Sequence, residues 1–334
     1  MNMPIKKKLL ELLLGKEFIP PSYSTFWWLL TRMNPQAFSD AFFKWIKDVH
    51  VCSLAGKQIN IDGKSLRGAL NKKGNCNIHI VHAWVHESGM LVGQLKTEEK
   101  SNEITAIPAL LEQLDIKDAT ISIDAAGCQK NIVKTIRDAG GNYLLAVKAN
   151  QPTLYVNIIN LFEEANKVDF KYVLNCDRFE SIEKNASRIE RRSINIISDP
   201  SELSTAEDWQ DLQTVVEVIN ETKVKGKITT EKRYYISNLI DSAEKFGDRV
   251  RAHWGVESMH WTLDVTFSED DSRANTLHAA VNLGTLRRAA INIVKSDPEL
   301  KKMGMAKVRR KAKWNEDGSI IMKIFEALCV VKSF

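Results

Sequence analysis

Residues 119–147, ATISIDAAGCQKNIVKTIRDAGGNYLLAV, contain the pattern that decides the fold. The run from Ala119 to Asp124 is short and apolar, as in a buried strand. Residues Gln129 to Ala139 have helical apolar spacing and stop at Gly140-Gly141, and Tyr143 to Val147 is apolar again. The sequence therefore predicts a strand, a helix and a second strand in succession, which is the building unit of a sheet covered by helices.

The flanking segments extend this pattern. Three β-like runs precede it, at Gln58–Asp62, Asn77–Val85 and Met90–Lys96, and a helical pattern runs from Glu103 to Leu114. The order is strand, strand, strand, helix, strand, helix, strand. We therefore predict the α/β class, with a mixed sheet flanked by helices.

The remaining segments differ from this core. Residues 1–55 have a helical pattern with breaks at the prolines, and two short helices there could bind DNA as a helix-turn-helix or simply pack together. Residues from about 165 to 238 contain short β-like runs between polar segments, which predicts a β-rich insertion. One long helix is expected from Ser242 to Val265.

The composition is that of a soluble globular chain. Of 334 residues, 44% are hydrophobic and 27% charged, and the net charge is +5. The five cysteines are scattered and odd in number, which favours a reducing cytoplasm over a disulfide framework. No run approaches the roughly 18 apolar residues that span a bilayer. We therefore expect a cytoplasmic protein.

The positive charge is concentrated near the C-terminus. From Leu286 to Phe334 there are 12 Lys and Arg against 5 Asp and Glu, a local net charge of +7. The densest part is the run from Lys307 to Lys313. Such a stretch attracts phosphate without recognising sequence, but it is also typical of a solvated helix face. Charge alone leaves both interpretations open.

Two aspartates follow predicted strands. Asp62 ends the strand that begins at Gln58, and Asp124 ends the next apolar strand. Carboxylates on neighbouring strands repel each other, and their oxygens suit Mg²⁺ or Mn²⁺ between them. Glu257, on the later helix, would add the third acid of a two-metal site for phosphoryl displacement. Taken alone, an aspartate at the end of a strand is more often a turn or capping residue.

Two other patterns are weaker. Gly63-Lys64-Ser65 is similar to the end of a phosphate-binding P-loop, but Gln58 stands where that motif needs its first glycine. His79, His82 and His86 have a spacing close to that of zinc ligands. On a strand, however, His79 would point away from the other two, which argues against zinc.

Several long motifs resemble one family, the H-repeat-associated transposases. They occur in the family's order and extend over about residues 18–315, which makes the resemblance specific. The matching motifs are IDGKSLR at 61–67, KTEEKSNEITAIP at 96–108, IDAAGCQK at 123–130, AVKANQ at 146–151 and HWGVE at 253–257.

The resemblance implies a ribonuclease-H-like catalytic core and an enzyme that cleaves and transfers DNA strands at the ends of an insertion sequence. It places Asp62, Asp124 and Glu257 on the family's catalytic, metal-binding Asp-Asp-Glu triad, with two Mg²⁺ or Mn²⁺ ions. It implies double-stranded DNA as partner, both the terminal inverted repeats and the target. It leaves open a homodimer on DNA, and it implies a place with the nucleoid in the bacterial cytoplasm.

The resemblance also divides the chain. We expect a helical N-terminal region at 1–55, shorter than the family's, a DDE catalytic domain at 56–315 and a tail at 316–334. DNA contacts are expected from basic and polar residues of the motifs and of the C-terminal cluster. These are Lys64, Arg67, Lys148, Asn150, Gln151, Lys307, Arg309, Arg310, Lys311 and Lys313.

One departure from the family bears on activity. The family has Glu-Asn-x-Leu-His-Trp where this chain has the shorter run from Glu257 to Trp261, ESMHW. Each helical residue turns the chain by about 100°, so residues beyond Glu257 should be rotated relative to it. Besides an active transposase, we therefore keep two alternatives. One is a weak or inactive DNA-binding remnant, decayed or domesticated, and the other is a hydrolytic nuclease of the same fold.

Overall fold

The computed structural model describes residues 11, 15, 17, 19–49, 53–70, 77–97, 103–185, 188–314 and 318–329. The chain forms two compact units. The central unit comprises Ser53–Asp62 and Ser101–Val256, and the terminal unit comprises Met1–Cys52, Gly63–Lys100 and Glu257–Phe334.

Helices and strands follow one another as in an α/β chain. In chain order the helices are α1 Tyr23–Arg32, α2 Pro35–Val49, α3 Glu103–Leu111, α4 Lys130–Asp138, α5 Pro152–Lys167, α6 Ala243–His253, α7 Gly255–Trp261, α8 Ala279–Ser296, α9 Pro298–Met303, α10 Met305–Trp314 and α11 Ser319–Cys329. The strands are β1 Gln58–Leu70, β2 Asn77–Val85, β3 Met90–Thr97, β4 Thr120–Ile123, β5 Asn142–Val147, β6 Cys176–Asn185, β7 Arg188–Ser198, β8 Thr214–Val224 and β9 Lys227–Ser237.

The central unit contains a mixed sheet with the strand order β1-β4-β5-β9-β8-β7-β6. The first part of β1 pairs in parallel with β4, and β4 pairs in parallel with β5. The strands β9, β8, β7 and β6 of the insertion continue the sheet in antiparallel pairs. The predicted α/β class, with its flanking helices and β-rich insertion, is confirmed.

Helix α6 packs against the insertion strands. Phe246 and Val250 are buried in one cluster with Ile194, Val216 and other apolar side chains of the sheet. A Cβ on Gly247 would lie 3.1 Å from the Cδ1 of Ile194, so glycine lets the helix approach the sheet closely. Truncating a buried phenylalanine of this kind to alanine typically costs about 3–5 kcal/mol. This packing fixes the helix that precedes Glu257.

The terminal unit contains the remainder of β1 and the antiparallel pair β2–β3, in the order β3-β2-β1. Helix α8 is attached to β3 through Asn292, whose side chain accepts from the amide of Leu91 at 2.8 Å and donates to its carbonyl at 2.7 Å. A second buried asparagine of α8, Asn282, donates to the carbonyls of Leu30 and Met33 at the end of α1. Buried amides therefore bind α8 to the elements around it.

Two expectations about local structure are wrong. Strand β1 does not end at Asp62 but runs on to Leu70, because its second half is hydrogen-bonded within the terminal unit. Helix α3 ends at Leu111 rather than Leu114, since the last turn tightens into bonds of the 3₁₀ type, from the Leu114 amide to the Leu111 carbonyl.

The long helix expected from Ser242 to Val265 is also wrong. Helix α6 ends at His253, and Trp254 forms a turn before Gly255, a weak helix former, begins α7. A π-helical turn at Thr262–Thr266 follows α7. A rotation of 100° per residue therefore holds from Glu257 to Trp261, within α7, but not through the π-helical turn that follows. No helix among the described residues has both the length and the apolar composition needed to cross a membrane.

Candidate functional site

Asp62 and Asp124 are neighbours at the point where β1 and β4 stop pairing. Ile61 is in register with Ile123, so the two aspartates are the next residues on adjacent parallel strands. Adjacent strands lie about 4.8 Å apart. Asp62 is half-buried and Asp124 exposed. The predicted proximity of these two carboxylates agrees with the strand register.

The loop after Asp124 is tightly built. The Oδ1 of Asp124 accepts from the amide of Ala126 at 3.1 Å and caps the 3₁₀ turn Ala125–Gly127. A Cβ on Gly127 would lie 2.3 Å from the Cγ2 of Ile123, so only glycine fits there. Asp124 thus caps a turn, which was one of the two roles that the sequence left open, and it also lies beside Asp62.

Asn150 and Gln151, expected to contact DNA, hold this loop in the structure. The amide of Asn150 donates to the carbonyl of Ala125 at 2.6 Å. The amide of Gln151 donates to the carbonyl of Cys128 at 2.9 Å. Both residues therefore act on the position of Asp124 through the chain that follows it.

The strand face below Asp62 supports the end of α6. The Nε2 of Gln58 donates to the carbonyl of Arg249 at 2.9 Å, and the Nδ2 of Asn60 donates to the carbonyl of Ala252 at 2.7 Å. The last carbonyls of a helix have no partner within the helix. Because Gln58 and Asn60 are buried, these bonds also satisfy polar atoms away from water.

The strand face below Asp124 continues this support. The Oγ of Ser122 lies 3.0 Å from the Nδ1 of His253, and the Nη1 of Arg249 donates to the Oγ1 of Thr120 at 3.3 Å. Burial lowers the pKa of His253, while the negative charge of Asp124 opposes that shift. We call the side chains of Gln58, Asn60, Thr120 and Ser122 the polar ladder. The alternation of polar and apolar residues along 58–62 and 120–124 was its sequence signal.

Glu257 is an exposed residue in the first turn of α7 and begins the last of the three segments of the terminal unit. Among the described residues, no group of three His, Cys, Asp or Glu side chains is arranged to hold a metal ion. What Asp62, Asp124 and Glu257 offer a metal ion is the chemistry of their carboxylate oxygens.

The residues beyond Glu257 form a charged network. The ammonium of Lys64, whose side chain is only 7% exposed, lies 2.7 Å from Asp264 and 2.9 Å from Asp270. Lys64, expected to contact DNA, thus neutralises two carboxylates of the same unit. Burial lowers the pKa of His260 to about 3, and the positive charges of Arg288 and Lys64 add to that shift.

A buried ion pair lies in the same unit. The Nη1 of Arg288 lies 2.8 Å from the Oε1 of Glu269, and both side chains are 0% exposed. The Nε of Arg288 also donates to the Nε2 of His82 at 2.7 Å. The Nδ1 of His79 lies 2.9 Å from the Oγ of Ser65. His79 and His82, two of the three histidines with zinc-like spacing, therefore contact protein side chains.

The other predicted DNA-contacting residues lie on the surface. Arg67 is 80% exposed, with its Nε 3.4 Å from Asp270, and Lys148 is exposed just after β5. All five basic residues of the C-terminal cluster are exposed on α10, which is anchored by the buried Val308. The geometry suits both interpretations of that cluster, phosphate contact and solvated face.

Comparison with known proteins gives a consistent family. The family model "Transposase DDE domain" matches residues 54–293. The Escherichia coli K12 protein named "H repeat-associated putative transposase YhhI" is 38% identical over 304 residues, which are 87% of this chain and 78% of YhhI. The transposase-named YncI of Escherichia coli O157:H7 is 37% identical over 294 residues, covering 86% of this chain and 74% of YncI.

A solved structure is also similar at a low level. It is a cryo-EM structure of the piggyBac transposase synaptic complex with hairpin DNA. The TM-score is 0.44 at 12% identity, and the match covers 84% of this chain and 55% of the other.

Proposed function

This chain belongs to the transposases with a DDE domain, and we propose that it cleaves DNA strands at the ends of an insertion sequence and transfers them to target DNA. The observation that carries the proposal is the pairing of Ile61 with Ile123, which sets Asp62 and Asp124 side by side. Such a pair of carboxylates repels itself unless a cation lies between its members.

In this proposal Asp62, Asp124 and Glu257 hold two Mg²⁺ or Mn²⁺ ions. Carboxylate oxygens are the ligands that these hard cations prefer, so the donor chemistry of all three residues fits. Bound there, the ions would stabilise charge on the phosphoryl group during its in-line displacement. The polar ladder keeps the end of α6 on the strands that bear the two aspartates, while Asn150 and Gln151 hold the loop behind Asp124.

In this proposal, exposed basic side chains bind the phosphates of the DNA. The five basic residues of α10 supply most of this charge, with Arg67 and Lys148 as further contacts. Each phosphate contact contributes about 0.9 to the slope of log affinity against log salt. Replacing all five by glutamine should therefore lower that slope by several units in a filter-binding or anisotropy assay. An unchanged slope would make the cluster a solvated face only.

A cleavage assay tests the catalytic proposal. Asp62→Asn, Asp124→Asn and Glu257→Gln each keep the side-chain shape but remove a ligand charge. Outer-sphere changes at metal sites already cost about 10–100-fold, so each ligand change should lower cutting of terminal-repeat DNA in Mn²⁺ by more than about 100-fold. Binding of the same DNA should be retained. The exposed Glu112→Gln in the central unit is the matched control.

A second candidate is a DNA-binding remnant with weak or no activity. It is favoured by the short run after Glu257 and by the π-helical turn at Thr262–Thr266. Inserting Asn between Glu257 and Ser258 restores the family's length. A gain of cleavage on insertion would support this candidate, whereas robust cutting by the unmodified chain, lowered by the insertion, would reject it. The other proposed properties are a homodimer on DNA and a place with the nucleoid in the cytoplasm.

A further inference from the structure

The terminal unit contains a cavity of about 420 Å³ that the catalytic proposal does not use. Small-molecule sites in proteins are typically about 300–1,000 Å³ and largely apolar. The cavity lies beside α7, the last turns of α8, and the chain from α9 into α10. It is therefore large enough for one compact organic group.

The floor and wall of this cavity are apolar and aromatic. Trp84, Met259, Ile291 and Val294 line it and are all buried. Trp261 also lines it, with 60% of its surface exposed. A large aromatic side chain left accessible beside an apolar cavity offers a flat face on which another ring can stack.

The rim of the cavity is positive. Lys295, Lys301, Lys307 and Arg310 line it, and none of the described lining residues is acidic. Burial lowers the pKa of Lys295, and the nearby positive charge of Lys301 adds to that shift. A negatively charged ligand would relieve this repulsion.

An apolar floor with an aromatic wall favours a planar ring, and a rim of cations favours an anion. A nucleotide combines the two in one molecule. We propose that this cavity binds a single unpaired nucleotide, with its base against Trp84 and Trp261 and its phosphate on the rim formed by Lys295, Lys301, Lys307 and Arg310. The inference deepens the proposed function and rests on it, because the nucleotide would belong to the DNA.

Only part of the basic cluster takes part in this site. Lys307 and Arg310 line the cavity, whereas Lys311 and Lys313 lie on the same helix but do not line it. The chain therefore offers two pairs of cations with equal charge and different positions. It also offers a second exposed tryptophan, Trp314, 71% exposed and outside the cavity lining.

The first experiment measures binding of two DNA hairpins in EDTA, without metal, so that it does not depend on cleavage. One hairpin carries a single bulged adenosine, and the other has an abasic unit at that position. The unmodified chain should bind the first about tenfold more tightly, as expected for one stacked base. Trp261→Ala should abolish this difference, Trp261→Phe should keep most of it because it retains a ring, and Trp314→Ala should leave it unchanged.

The second experiment compares the two cation pairs. Lys307→Gln with Arg310→Gln should abolish the preference for the bulged base. Lys311→Gln with Lys313→Gln should weaken binding of both hairpins equally. Competition with deoxyadenosine monophosphate distinguishes free nucleotides from nucleotides within a DNA strand. If it displaces the bulged hairpin, the site binds free nucleotides too. If it does not, and the preference for the bulged base remains, the site binds nucleotides only within a strand. Either supports a nucleotide site.

Equal binding of both hairpins by the unmodified chain would overturn the proposal, even if the chain cuts DNA. Equal losses from both cation pairs, or from Trp261→Phe and Trp261→Ala alike, would overturn it as well. Loss of cleavage in the triad variants has no bearing on these measurements, so the two proposals fail separately.

Discussion

The polar ladder of the central unit and the Arg288–Glu269 pair of the terminal unit satisfy buried polar groups in different ways. Below Asp62 and Asp124, neutral side chains such as Asn60 and Ser122 bond to the last turn of α6. In the terminal unit, full charges are paired instead, in the buried contact of Arg288 with Glu269. A neutral hydrogen bond contributes about 1 kcal/mol net, whereas a buried charge that loses its partner costs several. These two sites should therefore respond very differently to the loss of one polar group.

The largest expected effect is at the buried ion pair. Arg288→Met removes the positive partner and leaves the carboxylate of Glu269 buried without it. The free energy of unfolding should fall by about 3–5 kcal/mol in urea denaturation. The double variant Arg288→Met with Glu269→Leu should recover part of the loss, since the carboxylate then no longer stays buried, while Arg287, whose Nη1 lies 3.8 Å from Glu269, loses a partner. A single variant within about 1 kcal/mol of the unmodified chain would erase the contrast between the units.

A smaller effect is expected at the polar ladder. Asn60→Ala removes the donor to the buried carbonyl of Ala252, which should cost about 1–3 kcal/mol. Asn157→Ala is the matched control, because its hydrogen bond to Ser204 lies at the surface and water can replace it. Urea unfolding of the two variants gives the comparison. Equal stability of both would mean that the ladder does not hold α6.

A pH dependence in the terminal unit is the smallest effect near neutral pH. The unfolded chain protonates His260 below about pH 6.5. The folded chain protonates it only near pH 3, because burial lowers its pKa. Its contribution to stability is therefore complete above pH 6.5 and is lost as the pH falls toward 3, by at most about 1.4 kcal/mol per pH unit.

His260→Gln should flatten the decline of unfolding free energy over that pH range, and the exposed His86→Gln should not. The slopes, rather than the absolute stabilities, are compared, since both variants also alter packing. Identical slopes for His260→Gln and the unmodified chain would show that His260 does not sense this change.

The sequence was most informative where the structure is regular. Alternating residues at 58–62 and the helix–strand pattern at 119–147 predicted the α/β class and the proximity of Asp62 to Asp124. The partners of the polar ladder were not predictable, because Asn60 and Ala252 are 192 positions apart and no local pattern joins them.

The terminal unit shows the other limit. The motif that contains Gly63-Lys64-Ser65 led us to expect a DNA contact from Lys64. The ammonium of Lys64 instead forms ion pairs with Asp264 and Asp270, about two hundred residues away along the chain. The break at Trp254, near the end of the central unit, and the π-helical turn that follows α7 in the terminal unit also escaped prediction. Apolar residues occupy much of this segment on every side, so periodicity could not mark where one helix ends.

The anchoring of α6 has a consequence for how such chains diverge. Its last turn is bound to β1 and β4 by the ladder, and its apolar face packs on the strands of the hairpins inserted between β5 and α6. The turn of one hairpin, at Lys225-Gly226, has a positive φ at both residues and lies at the far end of β8 and β9. This outer end of the hairpin can therefore be lengthened or shortened while the ladder, the packing of α6 and the surroundings of the two aspartates stay the same. The tip of the β8–β9 hairpin is the part of the insertion that evolution can vary with least effect on the chemistry.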